Sequence, residues 1–316
     1  MSSKHDEKFA SIPAIQDGFR EACYITSRQT ATTVFLAYHL GKPILVEGPA
    51  GVGKTELAKT IATYLDLPLI RLQCYEGLDE SKALYEWKYG KQLLYTQLLR
   101  DKLDHLVNKE DSFSQSIDKL HQYDDIFFSW HFLEPRPLLK ALQQKDGTVL
   151  LIDEVDKSDD EFEAFLLEVL SDYQVSIPEI GTIHSVTKPF VVLTSNNTRE
   201  LSEALKRRCL HLYIPFPDPA LERDIIRIRV PDISKSLTLQ LVTFIQEVRK
   251  LDIKKVPSIS ETIDWARVLL ILHADNLHPD LVRETLHIFI KFEEDIRIVE
   301  EQLHHLTTQA VRASGG

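Results

Sequence analysis

The stretch Gly48-Pro49-Ala50-Gly51-Val52-Gly53-Lys54-Thr55 decides the fold. It satisfies the pattern G-x-x-x-x-G-K-[ST] in full. Its glycines let the backbone wrap closely around phosphate groups, with several N–H groups turned inward. A helix that follows presents its positive end to the same anion. Lys54 then reaches the β- and γ-phosphates of a nucleoside triphosphate, and Thr55 offers a hydroxyl to Mg²⁺. Chance alone produces the pattern in roughly 1% of chains this long. The flanks argue against chance. Pro43-Ile-Leu-Val-Glu47 reads as a short buried parallel strand. Leu57, Ala58, Ile61 and Leu65 mark one face of a helix that starts at the lysine. Glu56 completes the run of residues 48–56 expected to contact nucleotide.

Working outward, Val149-Leu-Leu-Ile-Asp153-Glu154 is an apolar strand that ends in two carboxylates. Sheets of this kind bind ligands at that end. Asp153 is expected to hold Mg²⁺ and Glu154 to polarise the attacking water as general base. Such a pair is a weak signal alone, because acidic residues often cap helices. Downstream of a complete phosphate loop it becomes specific. Asn196 stands at the tip of Phe190-Val-Val-Leu-Thr-Ser195, where its amide can meet the γ-phosphate or the water. The plainer reading is an asparagine that stabilises a turn. Arg207 and Arg208 follow the helical turn 201–206. An arginine there can reach a neighbouring subunit's nucleotide; otherwise the two form a solvated basic pair.

Leu67-Pro-Leu-Ile-Arg-Leu-Gln73 and Leu210-His-Leu-Tyr-Ile214 add two strand candidates. Five apolar runs alternating with helical stretches predict an α/β fold with a parallel sheet. Residues 1–40 read as helical. Residues 79–131 read as mostly helical and polar, with 109–116 as a flexible loop. Residues 161–173 form an amphipathic helix pattern, and 175–187 a hairpin. From Pro217 onward the pattern is helical, and Ser258-Ile-Ser-Glu261 is a capping box. The expected division is an α/β domain over 1–216 and a smaller all-helical domain over 217–316.

Composition narrows the function. The 316 residues are 43% hydrophobic and 27% charged, a globular balance that excludes wholesale disorder. A net charge of −11 argues against the nucleic-acid backbone as the main partner. No run of about 18 apolar residues predicts a membrane-spanning helix. The N-terminal residues lack the basic and apolar regions of a signal peptide. Cys23, Cys74 and Cys209 are odd in number and far apart, which reads as reduced thiols in a cytoplasmic protein. Asn108-Lys-Glu-Asp111 imitates a guanine-reading N-K-x-D, but no apolar strand precedes it and it lies upstream of the Asp153 strand. It reads as a polar turn. Tyr75, Tyr85, Trp87, Tyr89 and Tyr95 suggest base stacking, yet the acidic balance favours packing or subunit contact.

Phosphate loop, Asp-Glu strand, hairpin, asparagine-tipped strand, arginine pair and helical lid follow the order of an AAA+ ATPase module. More narrowly, the chain resembles the MoxR family and its CoxD-type branch. The phrases that carry the resemblance are Ile70-Arg-Leu-Gln-Cys-Tyr-Glu-Gly-Leu78, Ala83-Leu-Tyr-Glu-Trp87, Arg136-Pro-Leu-Leu139, Glu168-Val-Leu-Ser-Asp172, Thr194-Ser-Asn-Asn-Thr-Arg-Glu200 and Ala204-Leu-Lys-Arg-Arg-Cys-Leu210. Pro257-Ser258 and Asp264-Trp-Ala-Arg267 complete them. The resemblance spans about residues 15–275.

The resemblance implies a P-loop αβα module with a five-stranded parallel sheet, followed by a smaller helical lid. It matches Lys54 and Thr55 to Walker A, Asp153 and Glu154 to Walker B, and Asn196 to sensor 1. Arg208 best matches the arginine finger, with Arg207 a close second. Residues 175–187 match the pre-sensor-1 hairpin. Residues 79–131 match the helix-2 insert, which in such rings faces substrate or partner. One departure stands out: where many relatives carry a sensor-2 arginine, this chain reads Pro257-Ser-Ile-Ser-Glu261, and Arg267 on the same helix is the substitute at hand. The implied function is a Mg²⁺- and ATP-dependent remodelling ATPase that forms a homo-oligomeric, hexameric ring. Relatives of this type act as chaperones in metalloenzyme maturation or complex assembly, with a von Willebrand factor A-domain partner and a client protein. The rival readings are a nucleic-acid-linked or restriction-type NTPase, which the acidic charge disfavours, and a small-molecule kinase, which has no use for the hairpin and lid. A non-hydrolysing ring subunit is a third, against which Glu154 stands.

Overall fold

The computed structural model describes residues 3–98 and 128–314. Nine strands lie within them: β1 (Ile44–Glu47), β2 (Leu69–Gln73), β3 (Tyr85–Trp87), β4 (Leu133–Pro135), β5 (Val149–Asp153), β6 (Gln174–Ile177), β7 (Gly181–His184), β8 (Phe190–Ser195) and β9 (Leu210–Tyr213). Five of them form one parallel sheet in the order β2-β5-β8-β1-β9. The three inner strands are buried at every position, as expected for runs covered on both faces. Alternation within them feeds two separate cores. Ile44, Val46, Leu151 and Val192 pack under the helices Ile12–Glu21, Arg28–Leu40 and Lys54–Leu65. Leu45, Leu150, Ile152 and Leu193 face the opposite layer, built from Pro137–Leu142, Asp160–Asp172 and Glu203–Arg208. This is the parallel α/β sheet expected from the alternation of strand and helix, arranged as the αβα module that the resemblance implies.

Register places the functional ends together. Glu47 lies opposite Ser195, Gln73 opposite Asp153, and Ile152 opposite Leu193. The loop after β1, the carboxylates after β5 and the asparagine after β8 therefore emerge from one edge of the sheet, where α/β sheets take ligands.

Every described element after Tyr213 is helical: Pro219–Arg229, Lys235–Val248, Ile259–Ile271, Pro279–Phe289 and Glu293–Ser314. They surround a core of their own, in which Trp265 and Phe289 pack at 4.4 Å and the Trp265 indole donates to Thr285 at 2.9 Å. Among the described residues no helix is long and apolar enough to cross a membrane.

Of residues 79–131, those from 99 to 127 lie outside the described residues, and the rest are not uniformly helical. Glu80–Ala83 and Tyr89–Leu98 are helices, but β3 pairs antiparallel with β4, Trp87 opposite Leu133. The β-prone Tyr-Glu-Trp triplet explains it, because Trp87 is buried edge-on against Tyr85 and Phe128. The aromatic run is thus split: Trp87 is buried, while Tyr75, Tyr89 and Tyr95 are exposed. The loop at 109–116 and the Asn108–Asp111 turn lie outside the described residues. The hairpin forms from β6 and β7, with Val175 opposite Ile183.

Candidate functional site

The phosphate loop leaves β1 at Glu47 and closes into the helix Lys54–Leu65. Gly48 has φ +146°, and a Cβ there would sit 2.1 Å from the carbonyl oxygen of Ile214. Gly51 has φ +74° and lies against the lid, where the Ser258 hydroxyl would be 2.4 Å from a Cβ. Both positions require glycine for conformation and for space.

Lys54 is buried, and its ammonium donates to the carbonyls of Gly48 at 2.6 Å and Pro49 at 2.7 Å, and to Asn196 Oδ1 at 2.8 Å. Burial pushes its pKa down, and the nearby carboxylates of Asp156, Asp153 and Glu154 oppose that. Its three acceptors hold a cation where phosphate oxygens would arrive. The Thr55 hydroxyl donates to Asp153 Oδ1 at 3.1 Å. Asp153 also accepts from the Thr194 hydroxyl at 2.5 Å and pairs with the Arg71 guanidinium at 2.5 Å. A hydroxyl beside a carboxylate is an oxygen donor set that suits Mg²⁺.

Glu154 adopts a left-handed conformation at φ +57°, which turns it out of the strand line. Its backbone N–H donates to the Thr194 hydroxyl at 2.9 Å. One carboxylate oxygen accepts from the Asn196 amide at 3.1 Å, the other from Gln73 at 3.0 Å and from Lys157 at 2.6 Å. Hydrogen bonding to Glu154 holds Lys157 above its ordinary pKa.

Two adjoining cavities make up the crevice. One, of about 290 Å³, is lined by Lys54, Thr55, Asp153, Glu154, Asn196 and Ser260. The other, of about 350 Å³, lies on the far side of Gly51–Gly53 and mixes apolar walls, Tyr24, Ile25, Phe216, Leu221 and Ile263, with the charged Glu56, Asp218 and Arg229. A polar chamber thus adjoins a slot with aromatic and aliphatic walls. Glu56 lines both cavities and pairs with Arg229 of the lid at 2.8 Å. Burial works to raise the Glu56 pKa, but hydrogen bonding to Arg229 and the charge of Lys59 hold it below the usual value.

The structure therefore brings residues 48–56, Asp153, Glu154 and Asn196 to one place. It does not bring Arg207, Arg208 or Arg267 there. Leu210 pairs with the backbone at Pro43, at the start of β1, so the arginine pair sits at the opposite edge of the sheet. Arg208 donates to the Ser171 hydroxyl at 2.7 Å and the Ala204 carbonyl at 3.2 Å, and Arg207 is exposed. Arg267 pairs with Asp264 on its own helix, exposed and outside both cavities. The residues that sequence reasoning missed are Arg71, Gln73, Thr194, Asp156 and Arg229. The parallel register would have exposed Gln73, one strand over from Asp153; nothing local marks Arg229.

The family model described as the ATPase family associated with various cellular activities (AAA) matches residues 44–217. An uncharacterised protein of Staphylococcus epidermidis is 27% identical over 240 residues, covering 74% of this chain and 77% of its own length. An uncharacterised protein of Staphylococcus aureus aligns with the same identity and coverage. Among solved structures, a mutant of Thermotoga maritima RuvB superposes with a TM-score of 0.45 at 19% identity, over 83% of this chain and 68% of that one. The Thermotoga maritima RuvB Holliday junction branch migration motor gives 0.44 at 17% identity, over 88% and 71%.

Proposed function

The chain belongs to the AAA family of ATPases, and from that premise we propose that it hydrolyses ATP to ADP and phosphate with Mg²⁺. The observation that carries the reading is the meeting of Lys54, Asp153, Glu154 and Asn196 in one polar chamber beside the phosphate loop. The inward N–H groups of the loop and the helix N-terminus at Lys54 bind the phosphates. Lys54 exchanges its carbonyl acceptors for phosphate oxygens. Thr55 and Asp153 hold Mg²⁺, which supplies charge neutralisation at the β- and γ-phosphates. Glu154 takes the proton from the attacking water, and Asn196 orients Glu154 through the bond between them.

Arg208 lies at the far edge of the sheet, so its contribution as an arginine finger requires a second copy. That motivates a ring, which we propose to be hexameric. In line with the resemblance to the MoxR family and its CoxD-type branch, the ring acts as a chaperone or remodelling motor with a von Willebrand factor A-domain partner, in metalloenzyme maturation or complex assembly. Cys23, Cys74 and Cys209 are free thiols, which suits a cytoplasmic setting.

The test is ATP turnover per subunit across a wide range of protein concentration, with Glu154→Gln as the blank. Turnover that rises steeply with concentration, with a dead blank, supports a site shared between subunits. Flat turnover down to monomer concentrations removes Arg208 from the mechanism. Stimulation by nucleic acid would favour the nucleic-acid-linked NTPase instead.

A further inference from the structure

Asp156 follows the Asp153-Glu154 pair in the short turn Val155–Lys157 and is only 3% exposed. It touches neither cavity. One of its carboxylate oxygens accepts three hydrogen bonds, all from the turn after β8: from the Asn196 N–H at 3.2 Å, the Thr198 N–H at 2.9 Å and the Thr198 hydroxyl at 2.6 Å. The other oxygen is buried without a partner. The turn reverses direction where it is clamped: Asn197, between the two anchored residues, takes a left-handed conformation at φ +63°, which asparagine tolerates. Ser195 gives it one further hold, accepting from the Asn197 N–H at 3.0 Å.

We propose that Asp156 is the positioning residue for Asn196, a role that rests on the nucleotide-hydrolysing reading of the site. The clamp fixes the backbone of Asn196. Its side chain then spans the gap between Lys54 at 2.8 Å and Glu154 at 3.1 Å, orienting both at once. Asp156 thereby ties the tip of β8 to the segment that carries Glu154, so the water-activating carboxylate and its orienting amide move as one piece. Three donors favour the ionised carboxyl and hold it below its usual range against the opposing effect of burial. The negative charge also supports Lys54 as a cation at the bottom of the chamber.

A fold staple and a positioning residue predict different kinetics. Asp156→Ala is expected to lower kcat about 100-fold, as for loss of one preorganised donor, while KM for ATP stays within about threefold. Asn196→Ala should lose a similar factor, and the double variant should lose no more than the worse single one. Asp156→Asn should recover most of the turnover. Its carbonyl can accept from the same donors, and its amide takes the place of the partnerless oxygen. Unchanged kcat in folded Asp156→Ala, or losses that multiply in the double variant, would overturn the proposal. If Asp156→Ala does not fold, Thr198→Val decides. It removes one of the three bonds and should reduce kcat about threefold to tenfold; unchanged kcat overturns the proposal. A wild-type protein without turnover would sink the hydrolase reading instead. In that event, equilibrium binding of ATP against ADP is the readout. Asp156→Ala and Asn196→Ala losing the same preference for ATP supports the positioning role, and an intact preference in Asp156→Ala refutes it.

Discussion

Gly51 shows how much one residue of the phosphate loop is asked to do. Its left-handed backbone serves the loop, and its missing side chain lets the lid's Ser258 approach. Gly51→Ala is therefore expected to destabilise the protein by about 1–3 kcal/mol through strain and steric clash together. Urea denaturation measures this, and a variant as stable as wild type would mean that lid and loop do not touch in solution. Lys54 makes the complementary point. Its identity was legible from the motif, because few chemistries other than phosphate binding place a lysine after that glycine pattern. Its partner Asn196 stands 142 positions away, and only folding joins them.

At the scale of elements, boundaries followed local chemistry where local chemistry was strong. The strand Phe190–Ser195 and the lid helix after Ser258 lie where a continuous apolar run and a capping box put them. The capping box is complete: the Ser258 side chain accepts from the Glu261 N–H, and the Glu261 carboxylate accepts from the Ser258 N–H at 2.8 Å. Burial opposes the charge of Glu261, but that backbone bond and Lys255 win and hold its pKa below the usual value. A depressed carboxylate stabilises the fold above its unfolded value and stops doing so as pH falls through the folded one. Glu261→Ala should thus cost about 1 kcal/mol at neutral pH. The difference from wild type should close as pH falls through and below the ordinary glutamate range. Thermal unfolding across that range checks it; a constant gap would assign the loss to packing. The β3–β4 ribbon was not legible, because a three-residue strand carries too little periodicity and its partner lies beyond a long intervening segment.

Across the whole molecule, the nucleotide crevice lies between the sheet and the helical region, and an ion pair crosses it. Arg229 and Glu56 are each about one-third exposed, so the pair is worth little as stability. Its expected effect is on lid position. Arg229→Ala should weaken ATP binding to the Glu56-containing pocket by about fivefold, within the range such a pair can supply. The exchange Glu56→Arg with Arg229→Glu should restore part of the loss. Calorimetric titration of ATP into the Glu154→Gln background, where hydrolysis does not interfere, measures both. Affinity unchanged in Arg229→Ala would show that the lid is held by other contacts, such as Ser260 on the Gly51 carbonyl at 3.4 Å. Arg267, the lid arginine suggested by chain order, points to its own helix neighbour instead.

By itself the sequence determined the class of the fold, the phosphate loop, the two carboxylates and the asparagine. Each is written in a short stretch whose physics is local: a glycine pattern, an apolar run with a charged end, a capping residue. Tertiary structure alone decided what those residues touch. Parallel pairing set Gln73 beside Glu154 and Arg71 on Asp153. The turn after β8 folded back onto Asp156, and a helix far along the chain delivered Arg229 to Glu56. Contacts between distant segments depend on strand order and helix packing, and no window of neighbouring residues encodes either one.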